Sequence, residues 1–123
     1  MPQIKTEIFG PVALTTTLTT NVVAPAAAGA SAVGYTATAS YLVLRHIHIA
    51  NKTGVAATFT LYKGTTGANG AGTELWLGKS VAANDAFDWY GLMRLEGAAG
   101  FIVGGSNTAT ALTFEAEGEV GLV

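Results

Sequence analysis

Polar and apolar residues alternate with a period of two along residues 41–50. Tyr41, Val43, Arg45, Ile47 and Ile49 fall on one side, and Leu42, Leu44, His46, His48 and Ala50 on the other. Successive side chains of a strand point to opposite faces, so this segment predicts a long central β-strand. Asn51-Lys52-Thr53-Gly54 reads as a turn. The alternation then resumes over 57–63, with Phe59 and Leu61 on one face and Thr58, Thr60 and Tyr62 on the other. The two segments predict a hairpin with Phe59 and Leu61 in the core.

Downstream, residues 64–72 are Gly, Thr, Ala and Asn, which predicts an exposed loop tip. Short strands are expected at 74–77, 87–89 and 92–95, with Asx-turn chemistry at Ala82-Ala83-Asn84-Asp85 between the first two. Glu96-Gly97-Ala98-Ala99-Gly100 reverses the chain into 101–104. Gly104-Gly105-Ser106-Asn107 reverses it again into 109–117, where Leu112, Phe114 and Ala116 alternate with Thr113, Glu115 and Glu117. No stretch carries the period of a helix. Turn signals recur about every 8 to 12 residues, the spacing of an all-β antiparallel sandwich or jelly roll.

Residues 1–40 differ from the rest. They are rich in Ala, Thr, Val and Gly and lack a sustained apolar period, so they read as an extended N-terminal arm with short strands such as 13–23. Pro11 and Pro25 cannot donate to a ladder, which keeps those strands short. The sandwich domain is expected at 41–123.

Composition sharpens the picture. Half of the 123 residues are hydrophobic and only 11% are charged, against about 25% in an average soluble domain. A surface so short of charge predicts contact with copies of itself or with a partner. Charges, Gly and Pro interrupt each apolar stretch well before the roughly 18 residues a spanning helix needs, so no membrane partner is expected. The N-terminus carries Glu7 and no apolar run, so a secretory signal is not expected either. The six basic residues are scattered singly, leaving no stripe for a phosphate backbone and no expectation of nucleic acid. The absence of cysteine excludes disulfides, thiolate metal sites and a cysteine nucleophile.

The candidate chemistry is sparse. Gly78-Lys79-Ser80 resembles the end of a phosphate-binding loop, but Thr73 stands where that motif needs glycine and no helix follows, so it reads as a strand-end turn. His46 and His48 share a strand face at a spacing that suits one metal ion. Two ligands are too few, and a site would need a third ligand or a symmetry axis, so the pair is assigned to packing and hydrogen bonding and no metal or cofactor is expected. Glu115, Glu117 and Glu119 line one face of the last strand and read as a solvated edge that discourages wrong pairing. Asn51-Lys52-Thr53 matches a glycosylation sequon and reads as a plain turn. Trp89 is expected in the core or an interface. Trp76, beside the face of Glu74, is expected to be exposed or to plug a neighbour, and Trp76, Trp89 and Tyr90 are the candidates for stacking on a sugar ring. No nucleophile arrangement is visible, so no catalytic residue is assigned and an enzyme is not expected.

Several motifs occur in a telling order: the hairpin from Tyr41 to Tyr62 with Ile49-Ala50-Asn51-Lys52-Thr53 at its turn, then Val81-Ala82-Ala83-Asn84-Asp85, then Leu95-Glu96-Gly97, then Ala109 to Phe114. Over residues 41–117 this order resembles the small all-β virion proteins of tailed bacteriophages, although Glu96-Gly97-Ala98-Ala99-Gly100 lacks the Asp of the family's turn. The resemblance implies a structural protein on the capsid surface of the virion, a decoration (cement) protein. It would act as a homotrimer with the major capsid protein as partner, the arm clamping a neighbour or the shell. The alternative expectation is a tail, neck or fibre accessory module that binds host-surface glycan through Trp76 and the 64–72 loop.

Overall fold

The computed structural model describes residues 3–23, 39–64, 73–95 and 101–122. These form eight strands and, among the described residues, no helix: β1 (Gln3–Ala13), β2 (Thr19–Val23), β3 (Ala39–Asn51), β4 (Ala57–Gly64), β5 (Glu74–Val81), β6 (Ala86–Leu95), β7 (Phe101–Ser106) and β8 (Leu112–Leu122). They make two four-stranded sheets, ordered β1-β8-β3-β6 and β2-β7-β4-β5. All pairings are antiparallel, and β1 with β8, β2 with β7, β3 with β6 and β4 with β5 form a nested set. One long hairpin rolled upon itself produces that nesting, which is the topology of a jelly roll. The all-β sandwich expected from periodicity is therefore the fold.

Residues 3–23, expected as an arm with short strands, are paired into the sandwich. β1 is an edge of the first sheet and β2 an edge of the second, and Leu14 and Val22 are fully buried in the core. Residues 14–18, expected within a strand, instead link β1 to β2, where the backbone of Leu14 and Thr15 bonds to Leu112, Thr110 and Ser106. The remainder of the arm (24–38), most of the 64–72 loop and the reversal at 96–100 lie outside the described residues.

The core fills the space between the sheets with Leu42, Leu44, Ile47, Ile49, Phe59, Leu61, Leu95, Ile102, Leu112 and Phe114. β4 follows the expected phase, with Phe59 and Leu61 inside, but it does not form the expected hairpin with β3: the turn after Asn51 carries the chain into the opposite sheet, where β4 lies between β7 and β5. β3 does not alternate strictly. Leu42 and Leu44 face the core, but so do Ile47 and Ile49, because the register slips between Leu44 and His46 on both neighbouring strands. An unbroken strand would bury either the leucines together with both histidines, or the isoleucines together with Arg45. A bulge at Arg45 buries all four apolar residues and turns both imidazoles outward. Gly118 lies opposite this bulge, and a Cβ there would collide with the carbonyl of Val43 and the Cα of Leu44. Only glycine admits so close a crossing.

A second bulge corrects two expectations in β5. Gly78 has φ +57° and its N–H donates to Thr60 Oγ1 at 3.0 Å, while Lys79 faces Phe59 and Trp76 faces Leu61, leaving one extra residue in β5. Gly78-Lys79-Ser80 is therefore the interior of a strand and not a strand-end turn. The shift also sends Trp76 toward the core and Leu77 outward. Trp76 meets Phe87 edge-on at 5.4 Å and Trp89 at 6.3 Å and tilts against Phe59 at 6.3 Å. Phe59 and Trp76 come from one sheet, Phe87 and Trp89 from the other. The aromatic cluster thus bridges the two sheets at their β5 and β6 margins, and Trp76 is neither a free stacking platform nor a plug.

The turn at 82–85 behaves as its residues require, whereas Gly104, Gly105 and Ser106, expected within a reversal, belong to β7 and the chain turns over 107–111. Asp85 N–H bonds the Ala82 carbonyl at 3.2 Å, Asn84 adopts φ +55°, and the Asp85 carboxylate accepts the Ala86 N–H at 2.8 Å. Asn51 ends β3 as a buried hydrogen-bonding hub. Its Nδ2 donates to the carbonyls of Val55 and Val81, and its Oδ1 accepts from the Thr53 N–H and Oγ1. The sequon is a turn, as expected, but its asparagine is interior.

Candidate functional site

The outer face of the β1-β8-β3-β6 sheet brings both histidines together with Asp88, Glu115 and Glu117. The bulge at Arg45 is what aims His46 and His48 there. In register, Glu117 of β8 and Tyr90 of β6 flank His46, and Glu115 and Asp88 flank His48. Ile8 of β1 stands beyond Glu117. The row across the sheet at this level is Ile8, Glu117, His46, Tyr90.

Asp88 is the hub. Its Oδ1 lies 2.7 Å from His46 Nε2 and 2.6 Å from His48 Nδ1, so one carboxylate oxygen faces two imidazole nitrogens. The other nitrogen of His46, Nδ1, lies 3.3 Å from Glu117 Oε1. The His46 ring is stacked on Tyr90 with centroids 4.4 Å apart and planes 1° from parallel. Two carboxylates and one aromatic ring therefore hold this imidazole in place.

The electrostatics follow from the contacts. Partial burial of His46 disfavours its charged form, but the hydrogen bonds to Asp88 and Glu117 and the charges of both carboxylates outweigh this, and its pKa rises above 6.5. Asp88 shifts the other way. The hydrogen bonds from His48 and His46 favour the carboxylate, and its pKa falls below 3.8. Arg45 reaches Glu119 at 3.5 Å in an exposed pair, which contributes little to stability.

Exposed apolar side chains stand beside the cluster. Tyr90 and Leu92 are each 72% exposed and Ile8 61% exposed. Arg45, His46, Tyr90, Gly91, Leu92 and Glu117 line an open groove of about 560 Å³. Among the described residues, His46, His48 and Asp88 are the group of three side chains whose ligand atoms lie close enough, within 4.8 Å of one another, to hold one metal ion.

The structure places the two histidines on one sheet face, as their spacing predicts, and in the hydrogen-bonded, half-buried setting expected of them. It corrects the reading of Glu115, Glu117 and Glu119. They do line one outward face, but β8 lies between β1 and β3, so this is the middle of a sheet and not an edge. Sequence reasoning did not single out Asp88. The alternation of Phe87 and Trp89 with Asp88 and Tyr90 carries the signal that Asp88 faces outward, but only the pairing of β6 with β3 brings it to the histidines.

No protein-family model and no curated protein matches the chain.

Proposed function

We propose that the chain is a non-catalytic structural protein of a virus particle, a decoration protein that assembles as a homotrimer on the capsid of a tailed bacteriophage. The exposed apolar side chains Ile8, Tyr90 and Leu92, set on one sheet face of a molecule poor in charge, carry this reading. Such a face suits burial against a protein surface. The jelly roll is compatible with the proposal but serves many functions and does not by itself select one. A second reading, a tail or fibre module that binds glycan, draws on exposed Tyr90 beside Asp88, an aromatic face with polar groups at its rim. Trp76 lends it no support, because that ring is half-buried and packed against the core.

The test is to mix purified protein with undecorated phage shells and measure oligomer mass by sedimentation together with copies bound per shell. The decoration reading expects trimers bound in hundreds of copies, with binding abolished by the double variant Tyr90→Asp/Leu92→Asp while its circular dichroism stays that of the parent. A monomer that ignores shells and is retained on immobilised glycan would establish the second reading instead.

A further inference from the structure

His46 has a carboxylate oxygen at each of its ring nitrogens, and a neutral imidazole carries one N–H. If Nδ1–H donates to Glu117, then Nε2 aims a lone pair at Asp88 Oδ1, and two acceptors stand 2.7 Å apart. A cation between them resolves the conflict, either a second proton on the ring or a metal ion. The neighbouring His48 Nδ1 converges on the same Asp88 oxygen at 2.6 Å, so the position shared by these atoms is reached by two nitrogens and one carboxylate.

We propose that His46 Nε2, His48 Nδ1 and Asp88 form a site for one divalent transition-metal ion of the zinc class, with Glu117 as the positioning residue that orients His46. Three protein ligands of this kind leave the fourth, solvent-facing position to water or to a group from a partner. Two imidazoles with one carboxylate suit zinc and its neighbours, whereas calcium and magnesium prefer all-oxygen sets. The contact from Glu117 to Nδ1 is the outer carboxylate that metal-bound histidines characteristically carry, and it fixes the tautomer that presents Nε2 to the ion. Stacking on Tyr90 holds the ring at that angle.

The ligand atoms lie within 4.8 Å of one another, so the three side chains must close around the ion. With zinc–ligand bonds of about 2.0 Å, tetrahedral ligand atoms stand roughly 3.3 Å apart. Asp88, whose side chain is 35% exposed, must withdraw from the two nitrogens by roughly 0.6 Å, and the two imidazoles must turn toward each other until their nitrogens stand about 3.3 Å apart. Both histidines sit on one strand, and the third ligand comes from the strand paired with it, so the backbone frame exists before the ion arrives. The site does not depend on the assembly reading above.

Titration calorimetry of the full chain at neutral pH, after removal of metal with a chelator and of the chelator by dialysis, tests this with Zn²⁺ and Ca²⁺ as separate probes. The expected result is saturable binding of one Zn²⁺ per chain and no binding of Ca²⁺. His48→Ala and Asp88→Asn should each weaken Zn²⁺ by at least about 10-fold, and Glu117→Gln by about 10-fold as an outer-sphere partner does. Glu119→Gln should bind as the parent does. Co²⁺ added to the unaltered protein should develop the visible absorption of a four- or five-coordinate nitrogen and oxygen site, a readout that needs no variant to fold. Absence of saturable Zn²⁺ binding, equal binding of Ca²⁺, the pale spectrum of hexaaqua Co²⁺, or undiminished affinity in His46→Ala/His48→Ala would overturn the proposal.

Discussion

Replacing Asn51 with alanine is the sharpest test of the packing described here. The side chain is 3% exposed and makes four hydrogen bonds, from Nδ2 to the Val55 carbonyl at 2.9 Å and the Val81 carbonyl at 3.1 Å, and to Oδ1 from the Thr53 N–H at 2.9 Å and Oγ1 at 2.7 Å. These contacts tie the end of β3 both to its own turn and to the end of β5 in the opposite sheet. Each bond contributes about 1 kcal/mol net, and a buried acceptor left without a partner costs roughly 1–3 kcal/mol. Water can reach the exposed turn once the side chain is gone, so the Thr53 donors and the Val55 carbonyl recover part of their loss. The buried contact with the Val81 carbonyl recovers less. The expected destabilisation is about 3–4 kcal/mol, or roughly 10–20 °C in the melting midpoint of a domain this size. Urea unfolding followed by tryptophan fluorescence measures it directly, since Trp76 and Trp89 both pack against the core. Asn51→Asp should do no better than alanine, because it keeps the acceptor for Thr53 but points a second acceptor at two carbonyls. A loss below about 1 kcal/mol for Asn51→Ala would show that this hub does not hold the two sheets together.

Two further outcomes are expected. Leu61→Ala, at a fully buried position, should cost about 2–5 kcal/mol, whereas Glu117→Ala, 46% exposed on the outer sheet face, should stay within roughly 1 kcal/mol in metal-free protein; equal shifts in melting midpoint would reverse the assigned faces. The pH dependence has a definite sign. His46 titrates higher when folded, so its contribution is complete below 6.5 and fades as pH rises through the raised value, while the contribution of Asp88 is present above 3.8 and fades as pH falls through the lowered one. With a chelator present, the melting midpoint of the parent should exceed that of His46→Ala by more at pH 5 than at pH 8.5. A gap that is constant or widens with pH would contradict the hydrogen bonding drawn for the cluster.

Periodicity by itself determined the all-β class, the inward Phe59 and Leu61, the turn at 82–85 and the shared face of His46 and His48. Each depends on the two-residue repeat of a strand or on turn chemistry within a few positions, and both are written locally in the chain. Only the tertiary structure decided the rest. A bulge adds one residue and reverses the phase of everything beyond it. Strict alternation therefore grouped Ile47 and Ile49 with Arg45 in β3 and left Trp76 facing out in β5, and the sites that permit the bulges are Gly118 on another strand and Gly78. The arm, too poor in apolar period to read as core, supplied β1 and β2 because nested pairing needs an outermost pair. Glu115, Glu117 and Glu119 became the middle of a sheet for the same reason, since β1 covers the open side of β8. The cluster on the outer face was half legible. Two histidines two residues apart announce themselves, but Asp88 lies 40 positions from His48 and meets it only through the pairing of β6 with β3. Strand order and register are set by the summed burial of both sheets, a non-local quantity that no window of the sequence contains.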